Sequence, residues 1–459
     1  EEMWQWKEER FWTKVGDVCD EPGVRVSQIR VRGMQRTDMD ALLQVLRPVE
    51  AAGNLREVVQ AARQAAETLR SFGAFKTASV RLRSQAETEG HRVGADVRVR
   101  RLLARDVARA SDVVIDLELE EASAIQLQVG TEVDEVQGGL NGSVVGNNLF
   151  GGFESCSFRL SKGTVSSQAV ELQATKPLLG GLSTRDTLSA SLYSYLDIMR
   201  SSRYDVRSNG GTLSYSTSAG AATHTMAYEA AWRNVHLYDD VRSCVMLDGG
   251  HSIKSSLKHT FLFDNRDSKI APREGHAFQV VTELAGFGGT EQFVKNDVSA
   301  QVNVPLPFGL ALNSLTKFGW MRPLFGSRTN INDRFFNGGP VPLRGFNPRS
   351  VSPKHGADCL GGEVTFSQSL HLTIPMPKEL PSALKFHLFT SLGNCSRWSD
   401  GSMLTAFRSL STGYRLSTGA GLVYAAPNCR IELNLFTPIR SYNDHNLHHW
   451  QLGGTLNFL

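Results

Sequence analysis

From residue 122 to residue 459, hydrophobic and polar residues alternate, and no helical period interrupts the pattern. The first run reads Ile125, Gln126, Leu127, Gln128, Val129 and Gly130. The same alternation recurs within residues 170–175, 384–388 and 431–435. It gives each β-strand one apolar and one polar face. Strands of this kind occur in soluble sandwiches and in membrane barrels, so alternation alone leaves both open.

The length of the alternating region favours a barrel. A soluble sheet of this size would normally split or be covered by helices. At roughly 20 residues per strand and turn, the region yields about sixteen strands, which is within the range of outer-membrane barrels. We therefore predict a mainly β chain with a transmembrane antiparallel β-barrel of about sixteen strands. In such a barrel Leu433 faces lipid and Asn434 faces the lumen, where an arginine in place of the asparagine should be tolerated.

Composition and charge exclude several other classes of protein. With 41% apolar residues, 21% charged residues and a net charge of +3, the chain lacks the signature of disorder and of a nucleic-acid surface. No enzyme motif such as GxSxG or HExxH occurs, so we predict no enzymatic activity and no cofactor. Six cysteines lie far apart, without the spacing of a zinc site or a disulfide scaffold: Cys19, Cys156, Cys244, Cys359, Cys395 and Cys429. We predict free thiols and no metal.

Residues 24–121 have a different character. They read as strand, helix, helix, strand and strand, with helices that start after Thr37 and at Leu55, and with the first helix ending at Pro48. An insertion at residues 84–110 carries six arginines against four acidic residues. This insertion is either a solvated loop or an extended hairpin, or else a surface for anionic lipid headgroups or an acidic partner. Residues 1–23 form a separate N-terminal segment without the features of a secretory signal.

Two short motifs stand out within the alternating region. The nonapeptide QLGGTLNFL, residues 451–459, reads as a strand with Leu456 and Phe458 on one face. In a membrane such a strand must pair along its edge, and the first predicted strand, near Ile125, is the natural partner. The second motif is the turn-rich segment DRFFNGGPVPLRGF, residues 333–346, which interrupts the predicted strands.

These residues resemble a known family. The N-terminal unit resembles a POTRA domain, and the alternating region with its LRGF motif resembles the barrels of BamA-type outer-membrane insertases. The stretch GHSIKSSLKHTFLFDNRDSKIAPREGHAFQVVTELAGFGG, residues 250–289, and the segment at 333–346 are similar to the central barrel subunits of the mitochondrial sorting and assembly machinery. The resemblance implies a POTRA domain at 24–121, including the insertion at 84–110, and a transmembrane β-barrel at 122–459.

The resemblance also implies the functional residues. It places the LRGF motif, Leu343, Arg344, Gly345 and Phe346, in the sixth outward loop, which folds back into the lumen. An arginine enclosed there needs carboxylate or carbonyl partners. Glu363, on the following strand, is the candidate partner. Ser391 stands where the bacterial members have an aspartate, so it is an uncharged candidate for the second partner.

A lateral gate between the first and last barrel strands is implied as well. Its first strand contains Ile125, Gln126, Leu127, Gln128 and Val129. Its last strand contains Gln451, Gly453, Leu456 and Phe458, which fit the polar, glycine, hydrophobic, hydrophobic pattern of the family's β-signal. An incoming barrel precursor would pair its own terminal strand at this gate.

The family's function is insertion of β-barrel precursors into the mitochondrial outer membrane, with the POTRA domain in the intermembrane space. The implied partners are barrel precursors, metaxin-like peripheral subunits on the cytosolic face, cristae-organising proteins on the intermembrane-space side and membrane lipids, without nucleic acid. The alternative is a passive outer-membrane pore. The strands of such a pore would show the same alternation as those of an insertase, but a pore would need neither a POTRA-like unit nor a closing loop with a buried arginine.

Overall fold

The computed structural model describes residues 25–84, 112–133, 138–163, 167–179, 185–239, 243–339, 343–356, 358–377, 381, 383–397, 403–426, 429–441 and 449–458. Within these ranges the chain is mainly β, as predicted. The segment at 1–23 and the arginine-rich insertion, apart from Ser84, lie outside the described residues. The chain forms two compact units.

The first unit contains a three-stranded sheet and two helices. Its elements are β1 (Arg25–Arg32), α1 (Met39–Glu50), α2 (Leu55–Ser71), β2 (Phe75–Ser84) and β3 (Asp112–Glu121). The strands lie in the order β1-β3-β2, with β3 parallel to β1 and antiparallel to β2. The predicted order of strands and helices in the N-terminal region is therefore confirmed.

The first helix differs from the prediction at both ends. Asp38, not Thr37, is the N-cap, and its carboxylate accepts a hydrogen bond from the Asp40 N–H. The helix also continues through Pro48 to Glu50. Proline near the end of a helix removes only one hydrogen bond, and continuing the turn buries Val49 in the core of the unit.

Apolar faces of both helices and of the sheet form this core, together with one aromatic residue from far along the chain. Phe153 lies in the turn at residues 148–154, and its ring stacks on Phe72 at 5.1 Å and meets Phe75 edge-on at 6.1 Å. The turn is also hydrogen-bonded to the unit, since Asn148 Nδ2 donates to Thr37 Oγ1 at 2.8 Å. Residues 146–156 and 175–187 accordingly belong to the first unit.

A carboxylate at the end of β3 holds the segment that leads into α1. Glu121 Oε1 accepts hydrogen bonds from the backbone N–H groups of Gln35, Arg36 and Thr37 at 2.9, 2.9 and 3.0 Å. Burial alone raises the pKa of this carboxyl, but these hydrogen bonds outweigh it and lower the pKa to about 2.

The second unit is built from long antiparallel strands. In chain order they are β4 (Ile125–Val133), β5 (Gly138–Asn147), β6 (Ser155–Gly163), β7 (Gln168–Pro177), β8 (Thr187–Met199), β9 (Tyr204–Ala219), β10 (Ala222–Leu237), β11 (Gly250–Asp264), β12 (Gly275–Ala285), β13 (Phe293–Pro305), β14 (Ala311–Pro323), β17 (Val364–Pro375), β18 (Leu384–Ser396), β19 (Arg415–Ala426), β20 (Cys429–Arg440) and β21 (Trp450–Phe458). They form a closed barrel in which β21 returns to β4. The predicted sixteen-stranded barrel is thus confirmed.

The remaining elements lie in connections between barrel strands. They are the short helix α3 (Ser243–Met246), the helix α4 (Met403–Thr412) and a two-stranded ribbon of β15 (Lys354–His355) and β16 (Asp358–Cys359). Among the described residues, no helix is long and apolar enough to cross a membrane. The connection between β14 and β17, residues 324–363, is called the inner loop below.

Candidate functional site

The barrel wall has an apolar outer face and a polar inner face. On β20, Leu433 is 45% exposed, whereas Asn434 is completely buried. On β4, Ile125 and Leu127 are exposed, whereas Gln126 between them is half-buried. The predicted assignment of the two faces is therefore confirmed at these positions.

The inner loop folds back inside the barrel and brings the LRGF motif against the inner wall. Leu343, Arg344 and Phe346 are all buried, with Arg344 only 5% exposed. Leu343 and Phe346 pack together with Val351. The loop therefore has a small apolar core of its own, which fixes the backbone on either side of Arg344.

Arg344 binds side chains on two strands. Its Nη2 donates to Glu432 Oε2 on β20 at 2.9 Å, and its Nη1 donates to His371 Nε2 on β17 at 3.0 Å. Arg430 also binds Glu432, through Nε at 2.8 Å. The Glu432 carboxylate is thus enclosed between two guanidinium groups. The predicted location of Arg344 in the lumen is correct, but its carboxylate partner is Glu432, not Glu363.

Glu363 lies too far along the barrel wall to reach the motif. It immediately precedes β17, eight residues before His371, which corresponds to about 26 Å of extended strand. At that level Glu363 accepts a hydrogen bond from Thr329 Oγ1 at 2.8 Å and lies 3.9 Å from Arg334. It therefore binds the beginning of the inner loop, nine residues or more before the LRGF motif.

Ser391, the other candidate partner, lies in an inward row of serines on three adjacent strands. Its Oγ is 3.0 Å from Ser369 Oγ on β17, and its register partner on β19 is Ser417. Ser417, which the sequence did not single out, is the residue that donates to the Arg344 carbonyl oxygen. The row is correctly placed in the lumen, but the contact is made one strand further on.

Gly345 is required by both backbone conformation and space. Its φ of +89° lies in the left-handed region. A Cβ at this position would lie 2.9 Å from the Phe436 ring and 3.0 Å from Ser417 Cβ. The glycine therefore lets the loop backbone lie directly against the wall, where its N–H faces Gln451 Oε1 of β21 at 3.4 Å.

The barrel closes at a short seam between β4 and β21. Among the described residues, five pairs join the two strands, from Gly454 opposite Val133 to Phe458 opposite Val129. By contrast, β9 and β10 pair over sixteen positions. The structure thus pairs Leu456 with Thr131 and Asn457 with Gly130, whereas the predicted gate residues 125–128 do not occur in the described register.

The predicted β-signal residues differ in their surroundings. Gln451 is 1% exposed and lies against the inner loop, as described above. Gly453 lies opposite Glu432 on β20. The polar residue of the β21 motif and the glycine of the LRGF motif are therefore in direct contact, a link that connects the inner loop to the seam strand.

The residues that contact Arg344 but were not predicted from the sequence are Glu432, His371 and Ser417. Glu432 occupies an inward position of an alternating run, between Ile431 and Leu433, so it could have been proposed as a lumenal carboxylate. His371 carries the same signal, since it lies between Leu370 and Leu372, whereas Ser417 carries none. Among the described residues no group of three or more His, Cys, Asp or Glu side chains is placed to hold a metal ion, and Cys156, Cys359 and Cys395 are free thiols.

Comparison with known proteins agrees with this geometry. The family model described as the Omp85 superfamily domain matches residues 148–458. The sorting and assembly machinery component 50 homologs of Homo sapiens and Xenopus tropicalis are 29% and 28% identical, over 92% and 93% of this chain and 88% of their own length.

Solved structures show the same fold. BamA from Haemophilus ducreyi lacking POTRA domains 1–3 superposes with a TM-score of 0.74 at 15% identity, over 95% of this chain and 85% of that chain. CdiB from Acinetobacter baumannii gives 0.57 at 15% identity, over 95% and 74%. The predicted family resemblance is therefore confirmed. A sixteen-stranded barrel, a lumenal arginine motif on the inner loop and a matching family model over most of the chain together show that this protein belongs to the Omp85 superfamily.

Proposed function

We propose that this chain inserts β-barrel precursors into the mitochondrial outer membrane, at the seam between β4 and β21 and without any bond chemistry. The observation that carries the proposal is the short seam, whose last strand is in contact with the buried LRGF loop through Gln451 and Gly345. Its relatives, named as sorting and assembly machinery component 50 homologs, support the same role.

The physics of strands in lipid explains why a short seam suits this task. A strand edge in hydrocarbon leaves backbone N–H and C=O groups without partners, at a cost of several kcal/mol for each group. The seam therefore opens only when another strand takes over its pairs. A terminal strand from a precursor provides those pairs, and five pairs are fewer to exchange than sixteen. Strand addition at the β4 edge is the resulting mechanism.

The inner loop would fix the seam strand in position for this exchange. Arg344 binds Glu432 on β20, the strand next to β21, and Gly345 faces Gln451 on β21 itself. Displacement of β21 breaks the contact between Gly345 and Gln451. The polar residue at the start of a precursor's β-signal could then occupy the same place, so that the loop recognises the signal residue as well as the chain's own strand.

The remaining parts of the proposal rest on the family resemblance of the sequence. The N-terminal unit is a POTRA domain in the intermembrane space, and the partners are barrel precursors, metaxin-like peripheral subunits on the cytosolic face and cristae-organising proteins on the opposite side. A passive pore is the less favoured function. Its conduction would be opposed by an inner loop whose charged residues bind the lumenal wall at both Asp333 and Arg344.

A reversible lock of the seam tests the proposal. Cysteines at Gly130 and Asn457, which are register partners, are introduced into a variant lacking the six native cysteines. Oxidation should stop the assembly of an imported barrel precursor, and reduction should restore it. The matched control places cysteines at Thr282 and Asn296, register partners on β12 and β13, where oxidation should have no effect. Normal assembly through a fully oxidised seam would refute the proposal.

A further inference from the structure

The inner loop has a second charged attachment, eleven residues before Arg344. Asp333 is 5% exposed and accepts two hydrogen bonds from Arg233 of β10, from Nη1 and Nη2, both at 2.9 Å. Lys295 of β13 donates to the main-chain oxygen of Asp333 at 2.8 Å. The loop is thus bound through both the side chain and the backbone of one residue.

The neighbouring residues bind the loop at the same level. Arg334 lies 3.1 Å from Asp248 and donates to the Leu360 carbonyl at 3.0 Å. The Phe335 ring lies 4.5 Å from Lys295 Nζ. A Cβ on Gly319 of β14 would lie 2.5 Å from the same ring, so the absence of a side chain at Gly319 makes room for Phe335. Asp333 is therefore part of a packed attachment, not an isolated ion pair.

This attachment lies on a different part of the wall from the one that holds the LRGF motif. Arg233 is on β10, the seventh strand counted from β4, whereas Arg344 binds β17 and β20, the twelfth and the fifteenth. In a sixteen-stranded ring these positions are far apart. Asp333 and Arg344 are therefore held by buried ion pairs on different strands of the wall, and between them Asn337 Nδ2 donates to the carbonyl oxygen of Phe366 on β17 at 3.0 Å.

Loss of the Asp333 carboxylate would leave Arg233 with a weaker partner. Among the described residues, the other carboxylate that pairs with Arg233 is Glu291, 3.5 Å from Arg233 Nη2. Removing one partner of a buried pair is costly because the remaining charge stays buried. The inner loop would then be held less firmly at Asp333, and we expect the position of Arg344 to shift with it.

We propose that Asp333 is a positioning residue, whose paired contact with Arg233 fixes where the inner loop enters the lumen and thereby delivers Arg344 to Glu432. The effect acts through the position of the loop. It goes beyond the proposed insertion function, and it can be tested without any precursor.

Trypsin cleavage after Arg344 measures this position directly. The full chain is folded in detergent micelles, and the peptide that ends at Arg344 is quantified by mass spectrometry over time, while heat-dependent gel mobility reports the folded barrel. Arg344 is buried in the wild type, so cleavage there should be slow. Asp333→Asn should accelerate it by roughly tenfold, because a charge-assisted pair of hydrogen bonds is lost. Arg233→Lys, which keeps the charge but not the planar fork, should have an effect in the same direction.

The matched control is Glu171→Gln. It removes the carboxylate of another lumenal pair, Arg159–Glu171 at 2.9 Å on β6 and β7, and should leave the cleavage rate unchanged. Wild-type protection of Arg344 in a folded Asp333→Asn barrel would overturn the proposal. If that variant does not fold, Arg233→Lys decides, and wild-type protection there would overturn it equally.

Discussion

Replacing Glu432 by glutamine removes the charge that binds the LRGF motif to the barrel wall. Both Arg344 and Arg430 donate to this carboxylate, and the side chains of Glu432 and Arg344 are 9% and 6% exposed. Without the carboxylate, two guanidinium groups face each other across a neutral amide. We expect a cost of about 3 kcal/mol, the lower end of the range for breaking a buried pair, because the amide oxygen can still accept one hydrogen bond.

A change of this size moves the equilibrium between bound and released loop by about two orders of magnitude. Assembly of radiolabelled barrel precursors in isolated mitochondria, followed on native gels, should therefore fall sharply while the variant itself remains inserted. Urea unfolding of the purified chain measures the cost in stability. The matched control is Glu171→Gln, whose pair with Arg159 is partly exposed, so it should cost less than about 1 kcal/mol.

A double variant separates the loop contact from general damage. The double variant Arg344→Met, Glu432→Gln should be more stable than the sum of the two single changes predicts. Both changes break the same ion pair, and Arg344→Met also removes the buried charge that Glu432→Gln leaves without a carboxylate. Precursor assembly should stay low. Additive stability costs would refute the energetic reasoning, and wild-type assembly in folded Glu432→Gln would refute the role of the contact.

Three further predictions concern other parts of the molecule. Gly345→Ala should reduce precursor assembly, since the φ of Gly345 is +89° and the new Cβ would lie 2.9 Å from Phe436. The control is Gly142→Ala, where nothing lies within 4 Å of the new Cβ, and equal effects of the two changes would contradict the steric argument. Leu433→Arg should lower the free energy of unfolding by roughly 2–4 kcal/mol near the midplane, while Gln126→Arg on the inner face should cost less; similar urea midpoints would mean that the faces are wrongly assigned. The pKa of Glu121 is lowered from 4.5 to about 2, so its stabilisation of the first unit is complete above pH 4.5 and is lost as the pH falls towards 2. Hydrogen exchange of α1 should report this loss of stability, and the acid-dependent change in that exchange should be absent in Glu121→Gln.

The architecture was predictable because it depends on local periodicity. Alternation with a period of two fixes which residues face lipid, and the length of the region fixes the approximate number of strands. Lumenal contacts depend instead on how far a loop descends inside the barrel. Arg344 and Glu432 are 88 residues apart in the chain, whereas Glu363 is close in sequence but remains near the strand end.

Face assignment also did not indicate how tightly the lumen is filled. Asn434 faces inward as predicted, but it is fully buried, and His387 Nε2 lies 2.6 Å from its Oδ1. Because an arginine is larger than the asparagine side chain, the burial at this position argues against the prediction that Asn434→Arg is tolerated. Polarity along a strand reveals the inner face, whereas the volume left by the folded-back loop is a property of the whole barrel.

The aromatic residue at the centre of the first unit also limits how this protein can be recombined. Phe153 lies more than seventy residues after Phe72 and Phe75 in the sequence, yet its ring packs against both of theirs. A chimaera could take residues 25–121 from a relative and keep the rest of this chain. In that chimaera Phe153 would have to pack against the relative's residues in place of Phe72 and Phe75. Exchange of this unit therefore has to include residues 148–154, so the modular boundary for engineering does not coincide with any single cut in the sequence.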